Sequence, residues 1–193
     1  MTEILLEIAA AIWFIFPAYC ANAAPVIFGG GPQMDFGKKF VDGKAILGSH
    51  KTWRGFFAGL IVGTLVGYVQ TLLFEQFLFE YGTQFSYSIL LGFMLSLGAL
   101  TGDLIESFAK RRLNRPPGSS LPVADQIDFI LGAFLFSIPV SPPSLLAALI
   151  ILLITIPIHL LTNLGATLLN MKNKGKRVDF LLSGEVGLET EFG

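Results

Sequence analysis

The most constraining feature of this chain is a run of 43 residues, 129–171, that contains no Asp, Glu, Lys or Arg. A helix needs only about 20 apolar residues to cross the hydrocarbon core of a bilayer, so this run is too long for one span. Three prolines, residues that end or kink helices, interrupt it: Pro139, Pro142 and Pro143. The run therefore predicts two membrane-spanning helices, at about 122–138 and 144–169.

Three further apolar segments, 4–24, 55–74 and 85–109, are also long enough to cross a membrane. The composition agrees, because 53% of the residues are hydrophobic and only 14% are charged, whereas a soluble domain carries about 25% charged residues. We therefore expect an all-α, polytopic membrane protein with five transmembrane helices. Residues 1–177 are predicted to form a single integral membrane domain, and 178–193 a C-terminal tail of unknown role.

The positive charges are confined to three segments of the chain. All 13 Lys and Arg residues lie within 25–54, 110–115 and 172–177. In a five-span topology these segments lie on the same side of the membrane, and an excess of Lys and Arg marks the cytoplasmic side. The sequence therefore predicts a multi-pass protein of the cell membrane, with its N-terminus outside and its C-terminus in the cytoplasm. The cytoplasmic loops are expected to form a polar site.

Acidic residues stand at the predicted cytoplasmic ends of two spans. The first group has the spacing i, i+3, i+4, i+7 of one helix face and comprises Asp103, Glu106, Ser107 and Lys110. Asp125 and Asp128 share a face near the start of the next span. A carboxylate within a span is costly and needs a partner. Facing helices can place Asp103, Asp125 and Asp128 around one Mg²⁺, which prefers oxygen ligands.

A structural role for the same carboxylates is the alternative interpretation. Asp103 can pair with Arg111 or Arg112 and anchor its helix. Asp125 and Asp128 can act as N-terminal helix acids that interact favourably with the helix dipole. The three together at one membrane face, beside the cations of the loops, favour the metal site, because ionisable residues within membrane spans are generally functional.

Residues 43–55, GKAILGSHKTWRG, form a glycine-rich basic segment. Two extra residues precede Lys51 relative to the nucleotide-binding P-loop motif and no strand comes before it, so we reject a P-loop. The backbone amides together with Lys44, Lys51 and Arg54 are suited to holding phosphates. Attraction of a basic loop to anionic lipid headgroups is the alternative, and both roles can coexist.

Glycines recur every four residues along the second span, at Gly55, Gly59, Gly63 and Gly67. Small residues at this spacing allow close approach of helices in lipid. The pattern favours helix contacts within the chain, and a homodimer interface is the alternative.

Asn22 lies at the end of the first predicted span, beside the basic loop. Its amide can hydrogen-bond a base or a sugar, or it can cap the helix. The two histidines, His50 and His159, do not form a Ser-His-Asp arrangement with any residues that we can identify. This absence argues against a lipid-phosphate phosphatase.

The motifs of residues 101–129 resemble those of the membrane cytidylyltransferases that make CDP-activated lipids. The shared motifs are Gly102-Asp103-Leu104, Glu106-Ser107, Lys110-Arg111, Pro116–Ser120 and Asp125-Gln126-Ile127-Asp128. Gln126 stands where phosphatidate cytidylyltransferases have arginine, and their His-Gly-Gly portion is absent. Further motifs are similar to those of a sister family, the archaeal CDP-archaeol synthases: Asn22–Pro25, Asp35–Gly37, Asp42–Lys44 and Gly48–Gly55. This second resemblance covers nearly all of residues 10–172.

The resemblance implies CTP, Mg²⁺ and a glycerol phosphate that carries isoprenoid ether chains in the membrane. Membrane lipids are the expected surroundings, nucleic acid is not an expected partner, and a homodimer is possible. We hypothesise that Asp103, Asp125 and Asp128 hold one or two metal ions and that Lys110 joins them in catalysis. The proposed phosphate ligands are Lys44, Lys51, Arg54, Lys110 and Arg111, and Asn22 completes the nucleotide site.

Two other functions fit parts of the pattern. A CDP-alcohol phosphotransferase also uses acidic residues at a cytoplasmic membrane face, but its motif requires D-x-x-D-G, and Phe129 follows Asp128 here. A membrane transporter usually has charged residues near mid-membrane and often an inverted repeat. Five unequal spans with charge gathered at one face favour the cytidylyltransferase.

Overall fold

The computed structural model of the chain describes residues 2–73, 87–117 and 124–168, with side chains described for 4–73, 87–117 and 127–157. These ranges contain five helices: α1 (Thr2–Phe28), α2 (Trp53–Leu73), α3 (Ile89–Arg112), α4 (Ala124–Ser137) and α5 (Leu145–Leu168). Within them, β structure is limited to two isolated bridges in the loop between α1 and α2. The all-helical prediction is therefore confirmed for the described residues. The cations of 172–177 and the tail 178–193 lie outside them.

Three of the helices have the length and composition of membrane spans. These are Ile4–Phe28 of α1, all of α2 and all of α3. Two shorter apolar helical segments, Ile127–Ser137 and Leu145–Pro157, occupy the positions predicted for the fourth and fifth spans.

The first helix continues beyond its predicted end. Pro25 was expected to begin the loop, but it lies inside α1, which runs to Phe28. That prediction is wrong because proline removes only its own N–H from the helix. The Pro25 carbonyl still accepts a hydrogen bond from the Gly29 N–H at 2.8 Å, so the last turn is closed.

Residues 1–155 form one compact unit, and Ile156–Gly193 form a second, whose described part is the remainder of α5. The first unit has an apolar core to which α1, α3, α4 and the first half of α5 contribute. Its largest fully buried apolar side chains are Phe14, Ile15, Leu91, Leu95, Phe129, Ile130 and Ile151. Tyr19 adds a polar link within this unit, since its hydroxyl lies 2.7 Å from Thr155 Oγ1.

The glycine stripe of α2 lies against α1 and α3. All four predicted glycines are buried. A Cβ atom on Gly59 would lie 2.6 Å from the Ala21 carbonyl oxygen of α1, and one on Gly67 would lie 3.2 Å from the Gly92 nitrogen of α3. The prediction of helix contacts within the chain is therefore confirmed. This close approach holds α1 and α3 in the positions from which their ends form the site.

The loop between α1 and α2 is organised around one buried carboxylate, Asp35, which is 7% exposed. It accepts hydrogen bonds from the backbone N–H groups of Gly37, Leu47 and Gly48 at 2.9–3.0 Å. Burial alone would raise the pKa of Asp35, but these donors outweigh it and lower the pKa below its ordinary value. Residues far apart in the loop are thereby tied together, which fixes the backbone that precedes Lys51.

Candidate active site

Three carboxylates come together where α3 faces α4. Asp103 and Glu106 project from α3 and Asp128 from α4, and one oxygen of each lies within 4.8 Å of the others. Gly102 makes this possible, since a Cβ there would lie 2.9 Å from the carbonyl carbon of Asp128. The two backbones can approach only because that atom is missing, and the adjacent Asp103 is carried into the cluster.

The cluster contains two of the three predicted metal ligands. Glu106 takes part in it, although the prediction used Asp103, Asp125 and Asp128. Asp125 lies in the first turn of α4, and its side chain is outside those that the structure describes. Glu106 shares the helix face of Asp103, but that spacing alone did not indicate which of the acidic residues the next helix would meet.

Two lysines neutralise part of this negative charge. Lys51 Nζ lies 2.5 Å from Asp103 Oδ2, and Lys110 Nζ lies 2.6 Å from Glu106 Oε1 one helical turn away. The side chains of the second pair are only 9% and 10% exposed. The suggested pairing of Asp103 with Arg111 or Arg112 is wrong, because the loop before α2 brings Lys51 to that carboxylate.

Arg111 is a buried cation, 5% exposed, at the end of α3. Its Nε and Nη1 atoms have no hydrogen-bond partner among the described residues. Gly48 lies beside it with a φ of +101°, and a Cβ at Gly48 would be 3.7 Å from Arg111 Nη1. A buried charge without a partner is strongly destabilising, so this position is suited to an anionic ligand.

Arg112, the next residue, has a different role. Its guanidinium carbon lies 4.9 Å from the ring centre of Phe40 and 4.6 Å from that of Phe108, and Nη1 lies 3.2 Å from Asp42 Oδ1. Its Nη2 donates to the Ala45 carbonyl. These contacts attach the loop to α3. The position of Arg112 in a run of cations did not indicate this structural role.

The other predicted lysine and arginine of the loop have backbone carbonyls as partners. Lys44 Nζ donates to the Arg112 carbonyl at 2.8 Å, and Arg54 Nε donates to the Phe28 carbonyl at 2.8 Å. Asn22 lies inside α1, six residues before its end, so the suggestion that it caps the helix is wrong.

The carboxylate cluster fits a hard divalent cation. All three donors are oxygens, which Mg²⁺ prefers, and opposite ligands of Mg²⁺ lie about 4.2 Å apart. Among three ligands at most one pair can be opposite, and neighbouring ligands of an octahedral Mg²⁺ lie about 2.9 Å apart, so the oxygens, which lie within 4.8 Å of one another, would have to move closer together to bind it. One of the two oxygens of Asp103, Oδ2, is paired with Lys51.

Comparison with known proteins identifies the family. A family model described as CarS-like, CDP-archaeol synthase, matches residues 1–175. The CDP-archaeol synthase of Pyrococcus horikoshii is 49% identical over 160 residues, 83% of this chain and 92% of that protein. That of Methanocaldococcus jannaschii is 44% identical over 168 residues, 85% of this chain and 94% of that protein. The chain belongs to the CDP-archaeol synthase family.

A solved structure agrees with this assignment. It is described as an intramembrane enzyme for archaeal membrane lipids biosynthesis, and it superposes with a TM-score of 0.70 at 34% identity. The match covers 80% of this chain and 92% of that one. The family match includes every candidate site residue named above. Membership of the CDP-archaeol synthase family favours the cytidylyltransferase over the transporter and the CDP-alcohol phosphotransferase.

Proposed function

We propose that this protein transfers CMP from CTP to an isoprenoid ether glycerol phosphate, with the reaction centred on Asp103, Glu106 and Asp128. Family membership and the matched enzyme structure make the chain a CTP-dependent membrane cytidylyltransferase of archaeal lipid synthesis. The observation that supports the location is the cluster of three carboxylates, two of which form close ion pairs with Lys51 and Lys110, on the same helix as the buried Arg111. Opposite charges so close together suit a metal-bound polyphosphate.

In the proposed reaction, an oxygen of the lipid phosphate attacks the α-phosphorus of CTP. The bond from that phosphorus to the bridging oxygen breaks, and pyrophosphate leaves with the electron pair. Such transfer depends mainly on positioning the reactants and on neutralising phosphate charge. A bound Mg²⁺ would neutralise charge on the phosphates and hold them in place.

The protein's own cations are proposed to orient the phosphates. Arg111, held rigidly by burial, would offer its planar fork of donors to phosphate oxygens. Lys110 forms an ion pair with Glu106 and offsets part of the negative charge of the cluster. Lys44 and Arg54 are proposed to contact phosphate from the loop side, and Asn22 to contact the base or sugar. Asp125 is proposed as an additional metal ligand at the start of α4.

The site is proposed to face the cytoplasm of a five-span cell-membrane protein whose N-terminus is outside. The described contacts between loop 29–52 and the end of α3 support this arrangement, because both basic segments meet at one end of the helices. CTP would enter from water, and the lipid chains would remain between the spans. A homodimer would need a surface other than the α2 glycines, which are buried within one chain. Nucleic acid is not a proposed partner.

The direct test supplies purified full-length protein with α-³²P-labelled CTP, Mg²⁺ and an ether glycerol phosphate. A labelled CDP-lipid is expected. Absence of product with both ether and ester substrates would refute the proposed reaction.

Variants then test where the reaction occurs. Asp128→Asn is expected to lose most of the activity because it removes one charge from the cluster. Glu7→Gln is the matched control, since Glu7 lies near the opposite end of α1. Full activity and an unchanged Mg²⁺ requirement in Asp128→Asn would remove that residue from the metal set.

A further inference from the structure

Lys51 forms an ion pair with one carboxylate of the candidate metal site. Its ammonium lies 2.5 Å from Asp103 Oδ2, and the Asp103 carboxylate belongs to the cluster with Glu106 and Asp128. Lys110 already neutralises Glu106. The ammonium of Lys51 therefore supplies Asp103 with a positive charge of the kind that a bound cation would also supply.

The base of Lys51 is fixed while its side chain can rotate. Its carbonyl accepts from the Met34 N–H at 2.8 Å, and its N–H donates to the Gly48 carbonyl at 3.2 Å. A lysine side chain carries its charge on a flexible four-carbon stem. The side chain is 23% exposed, so the ammonium is not enclosed by the protein. The ammonium can therefore change partners without movement of the loop.

A divalent cation on Asp103 would repel an ammonium a few ångströms away. The phosphates of a nucleotide would attract the same ammonium. We propose that Lys51 is an exchangeable cation, which pairs with Asp103 before metal and CTP bind and transfers to the nucleotide phosphates when they do. This inference rests on the proposed function of the site. It predicts that the metal alone binds weakly and that metal and nucleotide strengthen each other's binding.

The first experiment measures Mn²⁺ binding to the full-length protein in detergent without nucleotide, by electron paramagnetic resonance and calorimetry. Lys51→Met is expected to bind Mn²⁺ about tenfold more tightly than wild type, because a competing unit charge is removed. Lys51→Arg keeps the charge and is expected to retain the wild-type affinity. Lys39→Met removes an exposed charge from the same loop and serves as the matched control. Lys51→Gln is a second neutral variant, with folding checked by size-exclusion chromatography.

The second experiment measures CTP binding with and without Mn²⁺ when no lipid phosphate is present. The factor by which Mn²⁺ strengthens CTP binding is expected to fall about tenfold in Lys51→Met, since the ammonium no longer moves to the phosphates. The proposal would be overturned if both neutral variants bound Mn²⁺ with the affinity of wild type. It would also be overturned if Lys39→Met gained as much Mn²⁺ affinity as Lys51→Met. Failure of the wild type to make CDP-lipid would instead refute the proposed reaction, because the metal-only measurement does not depend on it.

Discussion

Replacing Arg111 by methionine is expected to weaken CTP binding and at the same time to stabilise the ligand-free protein. The guanidinium is 5% exposed, and two of its nitrogens have no hydrogen-bond partner among the described residues. Burial of a cation without a partner is costly, and an apolar side chain of similar length avoids that cost. Burial of the Arg111 guanidinium becomes favourable only when an anion, such as a nucleotide phosphate, binds to it.

The effect of Arg111→Met on CTP affinity and its effect on stability differ in sign and in size. A hydrogen bond to a charged group contributes about 1.5–3 kcal/mol, and each 1.4 kcal/mol is about tenfold in affinity. The dissociation constant for CTP should therefore rise about 10- to 100-fold in Arg111→Met. Replacing buried ionic groups by apolar ones can stabilise by about 1–4 kcal/mol. For a chain of this size we expect an apparent melting temperature at least about 2 °C higher.

Arg112→Met is the matched control. Both arginines have an Nε and an Nη1 without a hydrogen bond among the described residues, but Arg112 has in addition an ion pair, a hydrogen bond from Nη2 and two aromatic neighbours. Arg112 lies over the rings of Phe40 and Phe108 and beside Asp42, so its loss should lower the melting temperature. Both variants would be measured by thermal unfolding without nucleotide and by calorimetric titration with CTP and Mg²⁺ without lipid phosphate. Unchanged CTP affinity in Arg111→Met would refute the assignment of Arg111 to phosphate. A melting temperature of Arg111→Met below that of wild type would show instead that the Arg111 guanidinium stabilises the protein without nucleotide.

Three further predictions concern the frame of the site. Gly67→Ala should destabilise by about 1–3 kcal/mol, because its Cβ would meet the backbone of Gly92, and thermal unfolding in detergent would detect the loss. Asp35→Asn should lower stability at neutral pH. The stability contributed by the Asp35 carboxylate is complete above its unfolded pKa of about 3.9 and is lost as the pH falls through its lowered folded pKa. Unfolding measurements at a series of pH values should therefore show the free energies of unfolding of wild type and Asp35→Asn becoming equal in acid. A difference in free energy of unfolding that does not change with pH would contradict that reasoning. Glu106→Gln should raise the Mg²⁺ concentration for half-maximal activity about tenfold if Glu106 is a ligand, and an unchanged Mg²⁺ titration would exclude it.

Much of the fold was predictable because its determinants are local. The length of an apolar segment and its breaks at Pro139 and Pro142 are properties of neighbouring residues, and the helices lie close to the predicted spans. The predicted end of α1 was wrong because a helix end also depends on hydrogen bonds made by the following residues. Whether Pro25 ends a helix depends on whether the Pro25 carbonyl finds a donor in the next turn, as it does in Gly29.

The candidate site was only partly predictable. Helical spacing placed Asp103 and Glu106 on one face, and the resemblance to a family indicated Asp128. That Glu106 joins the other two followed from the approach of α4 at Gly102, a contact between residues distant in the sequence. The partner of Asp103 lies 52 positions away in the chain, so no local pattern could identify Lys51.

The sequence by itself determined that this chain is a helical membrane protein with its charges gathered beside the ends of its helices. Whether a segment spans the bilayer depends on its apolar length and on the charges that flank it, and not on which other helices it contacts. Only the tertiary structure decided what each charge does. Arg111 and Arg112 are adjacent and chemically identical, and each has an Nε and an Nη1 without a hydrogen bond among the described residues. Yet Arg112 lies beside two aromatic rings and Asp42, whereas Arg111 is buried and makes no ion pair with the residues that the structure describes. Successive residues of a helix point about 100° apart, so the helix and loop packed on each side determine their roles.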